Sequence, residues 1–101
     1  MTISHKRSRE SKPIPSEQRY LYKVQCQTVD KFAHAMKIEL ANNIEKGHWD
    51  HCDVIWLLGR LEDEVKELKR AIGEGKSVDD IVSEAADVAN FAMMIADVTG
   101  D

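Results

Sequence analysis

Leu61-Glu62-Asp63-Glu64-Val65-Lys66-Glu67-Leu68 and Ile81-Val82-Ser83-Glu84-Ala85-Ala86-Asp87-Val88 follow one pattern. Each sets an apolar residue, a Glu three positions on, an acid three further, and an apolar residue directly after. Steps of three and four belong to one face of an α-helix. Gly73-Glu74-Gly75-Lys76 lies between the two stretches and supplies a helix stop and a turn. The stretch therefore reads as a helical hairpin with an acidic pair on each arm.

Outward from the hairpin, its first arm extends from about His51 to Ile72. Asp50 is the expected cap and Asp53 lies in the favoured first turn. The apolar stripe of this arm is Val54, Leu58, Leu61, Val65, Leu68 and Ile72. The second arm extends from about Val78 to Val98. Ser77 and Asp80 resemble a capping box at its start, and Gly100 follows its end. Upstream, residues 16–46 contain no Gly or Pro. Leu21, Val24, Thr28, Phe32, Met36, Leu40 and Ile44 recur at helical steps there, with Ser16 as the expected N-cap after Pro15.

No stretch alternates as a strand does. The expected fold class is all-α, a helical bundle of about three main helices per chain, completed by oligomerisation. The third helix carries that last inference. Ile81, Ala85, Val88, Ala92 and Ile95 form one face, and Phe91, Met94, Val82, Ala86 and Met93 widen it on both sides. A helix apolar nearly all round requires burial nearly all round. A second layer of helices from another subunit meets that need, giving a homodimer or homotetramer. The competing arrangement is a monomer whose first helix folds over the third.

At 101 residues the chain is one domain at most. Residues 1–15 form a polar, basic tail with Lys6, Arg7, Arg9 and Lys12, expected to be disordered; residues 16–101 form the helical domain. A net charge of -4 argues against a nucleic-acid partner. Cys26 and Cys52 form no CxxC and read as reduced thiols of a cytoplasmic protein. No apolar run reaches the ~20 residues of a membrane span.

Angle and height together place the acids. At ~100° per residue, Glu64 and Glu67 fall about 60° and 120° round from Leu61, and Glu84 and Asp87 fall at the same angles from Ile81. Glu64 thus borders an apolar stripe, while Asp63, Lys66 and Arg70 point to solvent. Glu67 is eight residues before Gly75 and Glu84 nine after; Glu64 is eleven before and Asp87 twelve after. In an antiparallel hairpin, residues equidistant from the turn lie level. Glu67 should face Glu84, and Glu64 should face Asp87. No matching basic residue is expected at the site. Four converging carboxylates repel, and a hard divalent cation removes that repulsion. Glu64, Glu67, Glu84 and Asp87 are therefore the expected metal ligands. Mg²⁺ is the expected ion, with Mn²⁺ as its substitute. The bland alternative is a solvated charge run, which accounts for Glu62 and leaves Glu84 and Asp87 unexplained.

This arrangement resembles the MazG-like all-α nucleoside triphosphate pyrophosphohydrolases. Their signature is Glu-Glu-x-x-Glu followed at a distance by Glu-x-x-Asp. The likeness runs over about Phe32 to Asp97 and includes Lys46-Gly47-His48-Trp49, Glu64-Val65-Lys66-Glu67-Leu68 and Glu84-Ala85-Ala86-Asp87-Val88-Ala89-Asn90-Phe91. Asp63 departs from it, standing where the signature has Glu. The resemblance implies Mg²⁺-dependent hydrolysis of a nucleoside or deoxynucleoside triphosphate to the monophosphate and pyrophosphate, in a dimer or dimer of dimers. It also admits relatives acting on dUTP, dCTP or phosphoribosyl-ATP. Glu67 is the candidate acceptor of the attacking water's proton.

Substrate contacts are assigned to Asn90, Trp49 and Lys46. Asn90 stands one turn beyond Asp87 and reads equally as the polar edge of a buried helix. Trp49 suits base stacking or an entry staple, and Trp56 reads as structural. Lys69 and Lys76 are further phosphate candidates. His48, His51 and Cys52 offer at most three donors in a turn, too few for a zinc assignment. The function from another class is a non-catalytic helical interaction module.

Overall fold

The computed structural model describes residues 9–100. The expected Lys6 and Arg7 of the basic tail lie outside the described residues. Residues 9–15 carry no regular secondary structure, and only Ile14 among them is half-buried. Three helices follow: α1 at Arg19–Asn42, α2 at Val54–Gly73 and α3 at Val78–Thr99. The described residues contain no strand. No helix among them is long and apolar enough to cross a membrane. Cys26 and Cys52 are both free and half-buried.

The helix ends differ from expectation in ways their side chains explain. Ser16 opens a single 3-10 turn at Ser16–Gln18, and Gln18 precedes α1 without a side-chain cap. The helix expected to reach Lys46 stops at Asn42. There the Asn43 amide Nδ2 donates to the Glu39 carbonyl at 2.9 Å, taking up an acceptor that a helix end leaves free. A second 3-10 turn, Ile44–Lys46, leads to Gly47, whose φ of 85° reverses the chain. Asp53, not Asp50, caps α2: its Oδ2 accepts from the backbone N–H of Ile55 at 2.9 Å and Trp56 at 3.3 Å. The hairpin turn closes as expected. Lys76 N–H donates to Ala71 O at 3.0 Å across Gly75, which holds a φ of 66°. Ser77 Oγ then accepts the Asp80 N–H at 3.1 Å to start α3.

α3 is the central element, packed against α2 along the hairpin and against α1 on another side. The arrangement weighed as a monomer alternative, α1 lying over α3, is thus present within the chain. The fully enclosed side chains are Leu57 and Ala86, both 0 % exposed, with Ala71 close behind. Small residues at such crossings let helix backbones approach.

Here the expected stripe of α2 is corrected. Its packed face runs through Leu57, Leu61, Glu64, Leu68 and Ala71. Leu58, Val65 and Ile72, expected to be buried, are 42 %, 38 % and 58 % exposed. Periodicity located a broad apolar arc, but α3 covers only one flank of it. The same rotation moves Glu64 from the border of the stripe into the packed face.

Candidate metal centre

One carboxylate oxygen each from Glu64, Glu84 and Asp87 converge within 4.8 Å of one another. α2 supplies the first and α3 the other two, held level by the tight turn at Gly75. All three are half-buried. His48, His51 and Cys52 are not part of this converging set.

The electrostatics are those of crowded acids. Burial raises the Asp87 carboxyl, and the negative charges of Glu39, Glu64 and Glu84 raise it further, to about 6; Lys46 acts weakly in the opposite sense. Glu84 is also raised, first by burial and then by Glu64, Glu67, Glu39 and Asp80. Hard oxygen donors that resist ionisation together match a hard divalent cation, whose charge offsets their repulsion. The residues present therefore fit such an ion.

Glu67 is near Glu84, which its charge perturbs, but it lies outside the converging trio. Its Oε1 accepts from Arg70 Nη1 at 3.0 Å. Together with Arg70, Lys76 and Glu84 it lines a second, polar cleft at the hairpin end. The expectation that no basic residue matches the acids is corrected twice. Arg70, exposed as expected, pairs with Glu67. Arg60 was missed: its Nη2 donates to Glu64 Oε2 and its Nη1 to Asp63 Oδ2, both at 3.1 Å. The guanidinium also stands 5.0 Å from the centroid of the Phe91 ring. The i,i+4 spacing of Arg60 and Glu64 was the available signal.

Glu39 of α1 was also missed. Ser83 Oγ on α3 donates to its Oε2 at 2.7 Å, which brings a fourth acid beside Asp87. Glu39 is three residues from Met36 and borders the apolar stripe of α1. The wheel argument used for Glu64 would have found it.

A cleft of about 580 Å³ opens from the acids toward the 43–53 connection. Glu39, Glu64 and Asp87 form part of its wall, and Lys46, Trp49 and Asn90 line it as well. Trp49 is pinned by its indole N–H, which donates to Asp97 Oδ2 at 2.9 Å, and its ring lies 4.2 Å from that of His48. Trp56, read as structural, is 55 % exposed and lines the cleft beside Phe91. Asn90 is 4 % exposed; its Nδ2 donates to the Met36 carbonyl at 3.0 Å, and its Oδ1 has no partner among the described residues. Lys69 lines neither cleft, and Lys76 lies 3.7 Å from Glu74.

No family model matches this chain, and no curated protein or solved structure matches it either.

Proposed function

We propose that this chain is a divalent-cation-dependent nucleoside triphosphate pyrophosphohydrolase. The observation that carries the reading is the convergence of Glu64, Glu84 and Asp87, two of which, Glu64 and Asp87, line a cleft of about 580 Å³ together with Trp49, Trp56 and Phe91. Such a cleft has the size of a small-molecule site. Its aromatic end suits a base and its acidic end repels a triphosphate unless a cation stands between. The sequence likeness to the MazG-like enzymes supports cleavage between the α and β phosphates.

Glu64, Glu84 and Asp87 would hold the cation, Mg²⁺ or Mn²⁺. When bound, that ion supplies Lewis-acid polarisation of the phosphoryl group and eases deprotonation of a water. Lys46 contributes positive charge for the phosphates. Trp49 and Trp56 offer flat apolar faces to the base. In the reaction, a water oxygen bonds to the α-phosphorus as its bond to the bridging oxygen breaks. Pyrophosphate carries away that electron pair. Glu67, beside the trio and outside it, accepts the proton of the attacking water.

Assembly into a homodimer or homotetramer belongs to the same reading. Ile55, Leu58, Val65 and Ile72 leave an apolar strip on α2 that a second copy would cover. The test of the activity is a panel of NTPs and dNTPs, including dUTP, dCTP and phosphoribosyl-ATP, incubated with Mg²⁺ and assayed for pyrophosphate. Release of pyrophosphate with stoichiometric monophosphate is expected. No pyrophosphate from any member overturns the enzyme reading in favour of a non-catalytic helical module.

A further inference from the structure

Ser83, Asp87 and Asn90 stand at i, i+4 and i+7 on α3 and so share one face of it. Two of them reach α1. Ser83 Oγ donates to Glu39 Oε2 at 2.7 Å, and Asn90 Nδ2 donates to the Met36 carbonyl at 3.0 Å. Asp87 lies between these ties, with the Glu39 carboxylate beside it. The Glu39 charge acts on Asp87 more strongly than that of Glu64 or Glu84.

Both ties leave an acceptor over. Glu39 keeps its second carboxylate oxygen, and Asn90 keeps Oδ1, a buried carbonyl oxygen with no donor among the described residues. An unpaired buried acceptor is costly. The Asn90 amide cannot usefully turn round, because its nitrogen is committed to a carbonyl. Among the described residues no donor reaches Asn90 Oδ1. Glu39 lies outside the set converging within 4.8 Å, so it does not join Glu64, Glu84 and Asp87 as a direct ligand in this geometry. Mg²⁺ keeps several of its waters when carboxylates bind it, and each water is a donor.

We propose that Glu39 and Asn90 accept hydrogen bonds from the waters retained by a cation at Glu64, Glu84 and Asp87, which makes α1 part of the cation site. This rests on the cation site proposed above. Glu39 would bring a further carboxylate beside Asp87, and Ser83 Oγ fixes its orientation. Partners that act through a ligand or a bound water change metal affinity by about 10–100-fold when removed.

The test is Mn²⁺ titration of the full chain without nucleotide, followed by calorimetry and by the free-Mn²⁺ resonance signal. Glu39→Gln removes the charge and still accepts from Ser83. It is expected to weaken Mn²⁺ about ten-fold, to leave the metal-free melting temperature unlowered, and to shrink the upward shift that Mn²⁺ produces. Glu62→Gln, which removes an equal charge at an exposed position of α2, is expected to stay within about two-fold. Glu84→Gln tests the underlying site and is expected to abolish saturable binding. If Glu84→Gln abolishes binding while Glu39→Gln stays within two-fold of the parent, the role of Glu39 is overturned and the cation site stands. If Glu84→Gln binds as the parent does, the cation site itself is overturned.

Discussion

Arg60 holds Glu64 from one turn away on the same helix, with Nη2 3.1 Å from Oε2. Among the described residues, Glu84 and Asp87 have no ion-pair partner. The trio is therefore paired with one built-in cation, and a metal held there would compete with it for Glu64. Arg60→Gln is expected to lower metal-free stability by about 1 kcal/mol, through the lost pair and the lost contact with Phe91. It is also expected to tighten Mn²⁺ binding several-fold in the absence of nucleotide. A weaker Mn²⁺ affinity in calorimetry would show that Arg60 supports the site and does not compete for it.

Asp87 carries the pH dependence. Its folded pKa of about 6 lies above its ordinary 3.8, so ionising it costs more in the folded state. Its relative stabilisation is complete below about pH 4 and is lost as pH rises through about 6. Glu84, also raised, acts in the same direction. Asp87→Asn removes the ionisation. With metal chelated, the variant should exceed the parent by roughly 1–2 kcal/mol at pH 8 and converge on it near pH 4. Thermal melts across that range check this. A constant difference between the two proteins would mean that Asp87 titrates normally.

Trp49 joins the 43–53 connection to α3 through its indole N–H on Asp97, at 2.9 Å. Trp49→Phe keeps an aromatic face and removes that bond. The expected cost is about 1 kcal/mol of stability, with a several-fold rise in KM for the nucleotide and little change in kcat. Mn²⁺ affinity should be unchanged, because Trp49 lies outside the trio. A fall in kcat with KM constant would place Trp49 in the chemistry instead of in binding.

Gly75 holds a φ of 66°, and a Cβ there would meet open space. Any destabilisation by Gly75→Ala must therefore come from the backbone conformation alone. About 1 kcal/mol is expected, read as a lower denaturant midpoint. Because the turn sets the height of Glu64 against Glu84 and Asp87, metal affinity should fall with it. An unchanged midpoint would mean that the turn relaxes to another form.

The assembly proposal is checked by sedimentation at micromolar concentration. A dimer or larger species is expected for the parent, and Val65→Lys, at the exposed strip of α2, should shift it toward monomer. A parent that sediments as a monomer rules the assembly out.

Much of this molecule was open to one-dimensional reading because the relevant forces are local. Helical steps, the Ser77 cap and the glycine turn depend on residues within a few positions of one another. Counting outward from Gly75 was enough to set Glu64 level with Asp87, since two arms of one hairpin share a rise per residue. Where local signals compete, the chain alone does not choose: Asp50 and Asp53 both suit a helix start, and only backbone geometry selects Asp53.

Local residue patterns alone make the two acidic stretches helical, antiparallel and level, and set their acids near apolar surface. Tertiary structure alone decided which flank of α2 meets α3, and hence that Glu64 is packed while Val65 and Ile72 stay exposed. It also decided that Glu67 turns to Arg70, that Arg60 reaches Glu64, and that Glu39 arrives from α1. The physical reason is that a helical wheel orders side chains by angle but does not say where the neighbouring helix lies. That depends on the fit of whole surfaces distant in the chain, here on the ties that Ser83 and Asn90 make to α1.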